Sequence, residues 1–130
     1  MPPRHDDPGL ADDAYVLRAL HDTWVTTKGG RERPSSNSFL DSNFENSCFL
    51  ESEISQDEVR LLTGRSKIAR VPIRVLRAAG YWLERRADEA PPGCAHPESH
   101  LVCGPPKEID RGPYEKAARS IVKSPDVETL

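Results

Sequence analysis

The sequence predicts an α+β fold: a small mixed or antiparallel sheet of about four short strands, closed by a C-terminal helix. Three observations carry this expectation. Short β-favouring runs (SCFLE, IARVP, YWLERR, HLVCG) are separated by turn-forming stretches rather than by long helices. A capping box, Ser55 with Glu58, opens a helical segment between the first two of these runs. The last segment, from Pro113, places Ala117, Ala118, Ile121 and Val122 on one helical stripe. At 130 residues the chain is the length of one domain, with 36% hydrophobic and 30% charged residues.

Residues 1–9 are Pro-rich and charged, and read as a disordered lead-in to a single domain over 10–124. Leu10, Ala14, Leu17, His21 and Trp24 recur at helical spacing, which predicts a helix over 10–21; a strand from Tyr15 to Trp24 is the alternative. Residues 26–47 are rich in Gly, Ser and Asn and read as a long irregular loop, a common location for function. A strand is expected over Cys48–Ser52, then a short helix carrying Val59, Leu61 and Leu62 and stopped by Gly64. IARVPIRV alternates apolar and basic residues as a strand does, with Pro72 restricting it to an edge or a strand end; IRVLRAAG also fits a short helix from Pro72 to Gly80. YWLERR and HLVCG are the remaining strands, joined by a proline-rich connection. Pro125 ends the last helix, and 125–130 is expected to fray.

Net charge is −3, so the chain lacks the overall positive charge of strong nucleic-acid binders. Locally, Arg65, Lys67, Arg70, Arg74 and Arg77 form a basic run. The run suits a nucleic-acid or anion site, with a solvated face as the plain and favoured alternative, and Arg70, Arg74 and Arg77 beside an edge strand suit an acidic protein partner. No apolar run is long enough to span a bilayer and the start has no signal-type segment; with three cysteines in no framework spacing, the expected location is the cytoplasm.

Cys94, His96, His100 and Cys103 have the ligand types of a structural zinc site in the spacing C-x-H-x3-H-x2-C. Four ligands within one decapeptide is tighter than such sites usually are, and on a strand His100 and Cys103 point to opposite faces, which disfavours zinc. A loop His, a core Cys and a buried strand explain the same residues. No other cofactor is suggested. His100 alone can act as a general acid or base, with Arg18, His21, Ser36 and Glu51 as companions suggested by residue type. Arg33 and the hydroxyls of Ser35 and Ser36, in RPSS, can hold phosphate, although the spacing is not that of a phosphate loop. Trp24, Phe39, Phe44, Tyr81 and Trp82 serve either as core or as interface anchors.

The order LRALHDTWV, RPSSNSF, NSCFLES and PESHLVCG, spanning residues 15–125, resembles a loose set of small bacterial proteins to which no activity is assigned. The resemblance implies a bacterial source and one α+β unit, and it includes His100 but not Cys94 or Cys103. An early LR, a serine pair and a later His are also similar in order to compact ADP-ribosyltransferase-like folds, by analogy alone. Two functions are therefore expected to compete. One is an accessory module that binds a protein partner; the other is a small enzyme on a nucleotide or nucleic-acid substrate, with Arg18 and RPSS on phosphate, Ser36 nearby and His100 moving a proton. A zinc-stabilised interaction domain is a third.

Overall fold

A computed structural model describes residues 6–105 and 110–130. The strands are β1 (Tyr15–Leu20), β2 (Val25–Lys28), β3 (Arg31–Pro34), β4 (Asn46–Leu50), β5 (Lys67–Pro72), β6 (Trp82–Arg85), β7 (His100–Gly104) and β8 (Glu128–Thr129). The helices are α1 (Gln56–Thr63), α2 (Ile73–Ala78) and α3 (Arg111–Lys123). Six strands form one antiparallel sheet in the order β6-β7-β4-β1-β5-β8, and β2 and β3 pair as a separate hairpin. The fold is thus α+β as expected, with a larger sheet than the four strands read from sequence.

Register assigns every sheet residue to one of two faces. Leu17 pairs with Phe49, Phe49 with His100, and Leu17 with Arg70. These residues, with Ser47 and Val102 in alternation, share the face that α1 covers through Val59, together with Ile54 and Ile68. Arg18 pairs with Ala69 and Cys48 with Leu101, on the opposite face. That face holds the larger core: Val16, Leu20, Val71, Leu83 and Leu101 pack against Ile73 and Leu76 of α2 and Tyr114, Ala118 and Ile121 of α3.

The segment read as a helix over 10–21 is instead β1, the weighed alternative. A strand buried on both faces shows no polar alternation, and its apolar residues fall at helical spacing by coincidence. Residues 26–47 are more ordered than a loop. Lys28-Gly29-Gly30-Arg31 is a two-residue hairpin turn with φ of 59° and 76° at the two glycines, and a 3-10 turn follows over Ser36–Phe39. β4 begins two residues before the expected strand and ends two residues earlier, because Glu51–Glu53 already forms a 3-10 turn. The α1 capping box is present as read, and Gly64 closes the helix with φ of 71°. Pro72 serves both expectations: it ends β5 and caps α2, without needing a backbone donor in either role.

The sheet edges are occupied. Asp7 donates its backbone N–H to the Leu83 carbonyl of β6, and an Asp6 carboxylate oxygen accepts from the Leu83 N–H, so residues 6–9 are docked; residues 1–5 lie outside the described residues. At the other end, the tail expected to fray supplies β8, which pairs with Ala69 and Arg70, while Leu130 exchanges both backbone hydrogen bonds with Ile68. β5 is therefore not an open edge strand, as the partner-capture expectation required. β7 must end in glycine: a Cβ on Gly104 would stand 2.1 Å from the Phe44 carbonyl oxygen.

Candidate functional site

Of the residues grouped with His100, Arg18 and Ser36 do not share a cleft with it. Arg18 lies on the opposite face of the sheet, where its Nε donates to the Ser38 carbonyl at 2.9 Å and its Nη1 to the Ser47 carbonyl at 2.6 Å. Its cation also sits 5.3 Å from the Trp24 ring centre. At 7% exposure Arg18 is committed to pinning the β3–β4 connection to the sheet. Ser36 stands at the start of the 3-10 turn beyond β3. His21 faces Trp24 edge-on, and Glu51 accepts from Arg70.

The four proposed zinc ligands are also kept apart. His100 lies on the α1 face and Cys103 on the α3 face, where the Cys103 and Cys48 side chains are hydrogen-bonded in the larger core. That bond, with burial, pushes the Cys48 thiol up well above its ordinary value. Cys94 packs against the smaller core, and His96 is half-exposed, 3.3 Å from Glu58 and 3.7 Å from Glu98. Among the described residues no three His, Cys, Asp or Glu side chains converge where a metal ion would fit.

The basic run is internally paired. Arg70 grips both carboxylate oxygens of Glu51 at 2.5 and 2.9 Å, reaches Glu128 at 3.3 Å and lies 3.6 Å over the Tyr15 ring. Arg74 meets Asp126 at 3.0 Å, and Arg77 meets Asp6 and Asp12 at 3.2 and 2.5 Å. Apart from Glu51, the carboxylates that meet Arg70, Arg74 and Arg77 come from the two ends of the described chain. Of the aromatic candidates, Phe39, Tyr81 and Trp82 are buried, while Trp24 and Phe44 are half-buried against the larger core.

The RPSS segment is brought into a different setting. Arg33, Pro34, Ser35 and Ser36 line a cavity of about 610 Å³ between the β2–β3 hairpin and α3, together with Thr26, Thr27, Lys28, Arg119, Val122 and Lys123. The lining therefore contains four cations and four hydroxyls but no carboxylate. Arg119 and Lys123 stand one turn apart on α3, and Lys28 comes from the hairpin opposite. Arg33 has a structural task here: its Nη2 donates to the carbonyls of Val122 and Ser124 at 2.7 and 2.9 Å, and its Nη1 donates to the Val127 carbonyl. These are the terminal carbonyls of α3 and its exit, where the helix dipole is negative, so Arg33 cancels a field that would otherwise repel an anion. The Ser35 hydroxyl oxygen is buried and has no hydrogen-bond partner among the described residues.

On the other face, His100 is 2% exposed and joined to Ser47, a residue no sequence signal singled out. Its Nε2 is 2.6 Å from the Ser47 hydroxyl and its Nδ1 is 2.8 Å from the Arg86 carbonyl oxygen. The Arg86 side chain is itself buried, 2.7 Å from Glu84, 2.8 Å from Glu45 and 3.2 Å from Glu89, with its cation 5.6 Å from the Trp82 ring centre. Burial acts against its charge, but the hydrogen bonds to Glu84 and Glu45 outweigh that cost and push its pKa up.

Arg119 and Lys123 were within reach of sequence reasoning, being spaced i, i+4 on a predicted helix. Lys28 and Ser47 were not, because their partners arrive only through the pairing of distant strands and the docking of the hairpin. Compared with known proteins, the chain matches no family model, no curated protein and no solved structure.

Proposed function

We propose that the protein binds a phosphate-bearing small molecule of about nucleotide size in the cleft between the β2–β3 hairpin and α3. The observation that carries this reading is the lining: Lys28, Arg33, Arg119 and Lys123 around four hydroxyls, without a carboxylate, in a chain whose net charge is −3. A volume of about 610 Å³ is in the range of small-ligand sites. Lys28 and Lys123 are exposed, so they act as point charges on the ligand, while the half-buried Ser36 offers a short hydroxyl donor in the same lining. Arg33 sets the floor and removes the repulsion of the helix end. This reading keeps the phosphate role expected of RPSS and separates it from Arg18 and His100.

Calorimetric titration with inorganic pyrophosphate, and then with a nucleoside diphosphate, tests it. Saturable binding should weaken about tenfold on Lys28→Ala and again on Lys123→Ala, the scale of one charged hydrogen bond. The affinity should also fall as salt rises. Binding that is absent at millimolar ligand, or unchanged in both variants, contradicts the reading. Tighter binding of single-stranded oligonucleotides than of either small ligand would move the assignment to nucleic acid.

A second reading, the accessory module that captures a protein partner, draws support from a different place than the arginine run. Leu61 on α1 is 86% exposed, beside a groove of about 360 Å³ lined by Ile54, Leu62, Pro92 and Cys94. A defined complex from the native host that is lost in Leu61→Asp would favour it over the ligand reading.

A further inference from the structure

We propose that Ser47 is a nucleophile activated by His100, and that the pair attacks acyl substrates such as carboxylic esters. The pair lies on the α1 face of the sheet, whereas the anion cleft lies beside α3, so this inference does not rest on the ligand reading. Ser47 pairs with Val102 and Phe49 with His100, so Ser47 and His100 are diagonal neighbours on one face of β4 and β7.

The chemistry of the partners fixes the direction of each hydrogen bond. The Arg86 carbonyl oxygen only accepts, so His100 Nδ1, at 2.8 Å, carries the ring proton. In the neutral imidazole Nε2 is then the bare nitrogen, and at 2.6 Å the Ser47 hydroxyl is its donor. A serine O–H aimed at an unprotonated imidazole nitrogen, with the far nitrogen held by an acceptor, is the arrangement that activates a serine. The ring is held in place, since His100 is 2% exposed and packs edge-on against Phe49 at 5.5 Å, while Ser47 is only half-buried.

The same Arg86 whose carbonyl orients His100 also offers a donor. Its side chain is 4% exposed, and its Nη2 is buried without a hydrogen-bond partner among the described residues, although Nε and Nη1 hold Glu84 and Glu45. A buried N–H without an acceptor is costly, and sites of chemistry are where such donors are kept. Glu45, whose carboxylate accepts from Arg86 Nη1 at 2.8 Å, precedes Ser47 by two residues.

In the step proposed, Ser47 Oγ bonds to the acyl carbon as its proton passes to His100 Nε2, and the carbonyl π pair moves onto oxygen. The intermediate collapses, the bond to the leaving alkoxide breaks, and that oxygen takes the proton from Nε2. Water then attacks the acyl-serine, giving a proton to Nε2; Ser47 Oγ leaves as the acid forms and recovers that proton.

A fluorophosphonate probe tests this directly, because an activated serine forms an Oγ–P bond with loss of fluoride. The expected result is a single adduct mapped to Ser47, absent in Ser47→Ala and formed about 100-fold more slowly in His100→Gln. A serine that merely satisfies a buried imidazole gives no adduct, and no adduct overturns the proposal, as does labelling that His100→Gln leaves unchanged. Because His100 is buried and its variant can lose the fold, Ser47→Cys supplies a second readout. Its thiol should react with iodoacetamide at least tenfold faster than the half-buried Cys94 of the same molecule, and equal rates overturn the proposal.

Discussion

The two basic regions of this protein have similar charge and opposite fates. Arg70, Arg74 and Arg77 are close in sequence, yet each meets a carboxylate that the fold delivers from elsewhere: Glu51 and Glu128, Asp126, and Asp6 with Asp12. Lys28, Arg119 and Lys123 are scattered in sequence, and hairpin and helix bring them around one cavity whose lining has no carboxylate. A run of like charge along a chain is thus a poor guide to where a positive field ends up. Cations close in sequence here meet carboxylates on folding, whereas of the converged ones Arg119 is approached by Glu115 at 3.9 Å, from outside the cavity lining.

Reversing charge on each side should break this contrast most sharply. Lys28→Glu with Lys123→Glu should weaken pyrophosphate binding by at least about 100-fold, since each removed contact is worth about tenfold before repulsion is added. Arg74→Glu, on the neutralised side, should leave affinity within about twofold. Next in size is Arg33→Met, which strips the donors from the Val122, Ser124 and Val127 carbonyls; chemical denaturation should show a loss of about 1–3 kcal/mol, and pyrophosphate affinity should fall with it. Arg70→Met removes a cation from Glu51 and from the Tyr15 ring, and should cost about 1 kcal/mol with no change in ligand affinity.

The smallest effect concerns pH. The hydrogen bond from Arg85 holds the Glu53 carboxyl below its ordinary value, so the folded protein binds that proton less tightly than the unfolded chain. The pair's contribution is present above about pH 4.3 and is lost as pH falls through the lower folded value. The denaturation midpoint of the parent should therefore fall in acid, and Glu53→Gln should flatten that fall by lowering the midpoint slightly at pH 7 while leaving the acid midpoint almost unchanged.

What sequence alone conveyed depended on how local the physics was. The capping box of Ser55 and Glu58 closes within one turn of chain, and it was legible, as was the stripe of α3. Pro72 was legible too, because a missing N–H constrains strand and helix alike. β1 was hidden because a central strand covered on both faces loses the alternation that marks strands. The hairpin was hidden differently: Gly29-Gly30 is a turn signal, but polar flanks such as Thr26-Thr27 and Arg31-Glu32 look like loop. The sites divide in the same way. RPSS offered the residue types of the proposed phosphate site, while the cations that line its cavity, and the register that joins Ser47 to His100, exist only after β4, β7 and α3 are in place.

The most direct test of the central claim is a two-dimensional amide NMR titration with inorganic pyrophosphate, followed residue by residue. Saturable shifts confined to residues 26–28, 35–36 and 119–123, with residues 70–77 still, are the predicted result. Shifts centred on 70–77, or none at millimolar pyrophosphate, would contradict the claim that the converged cations and not the consecutive ones form the binding surface.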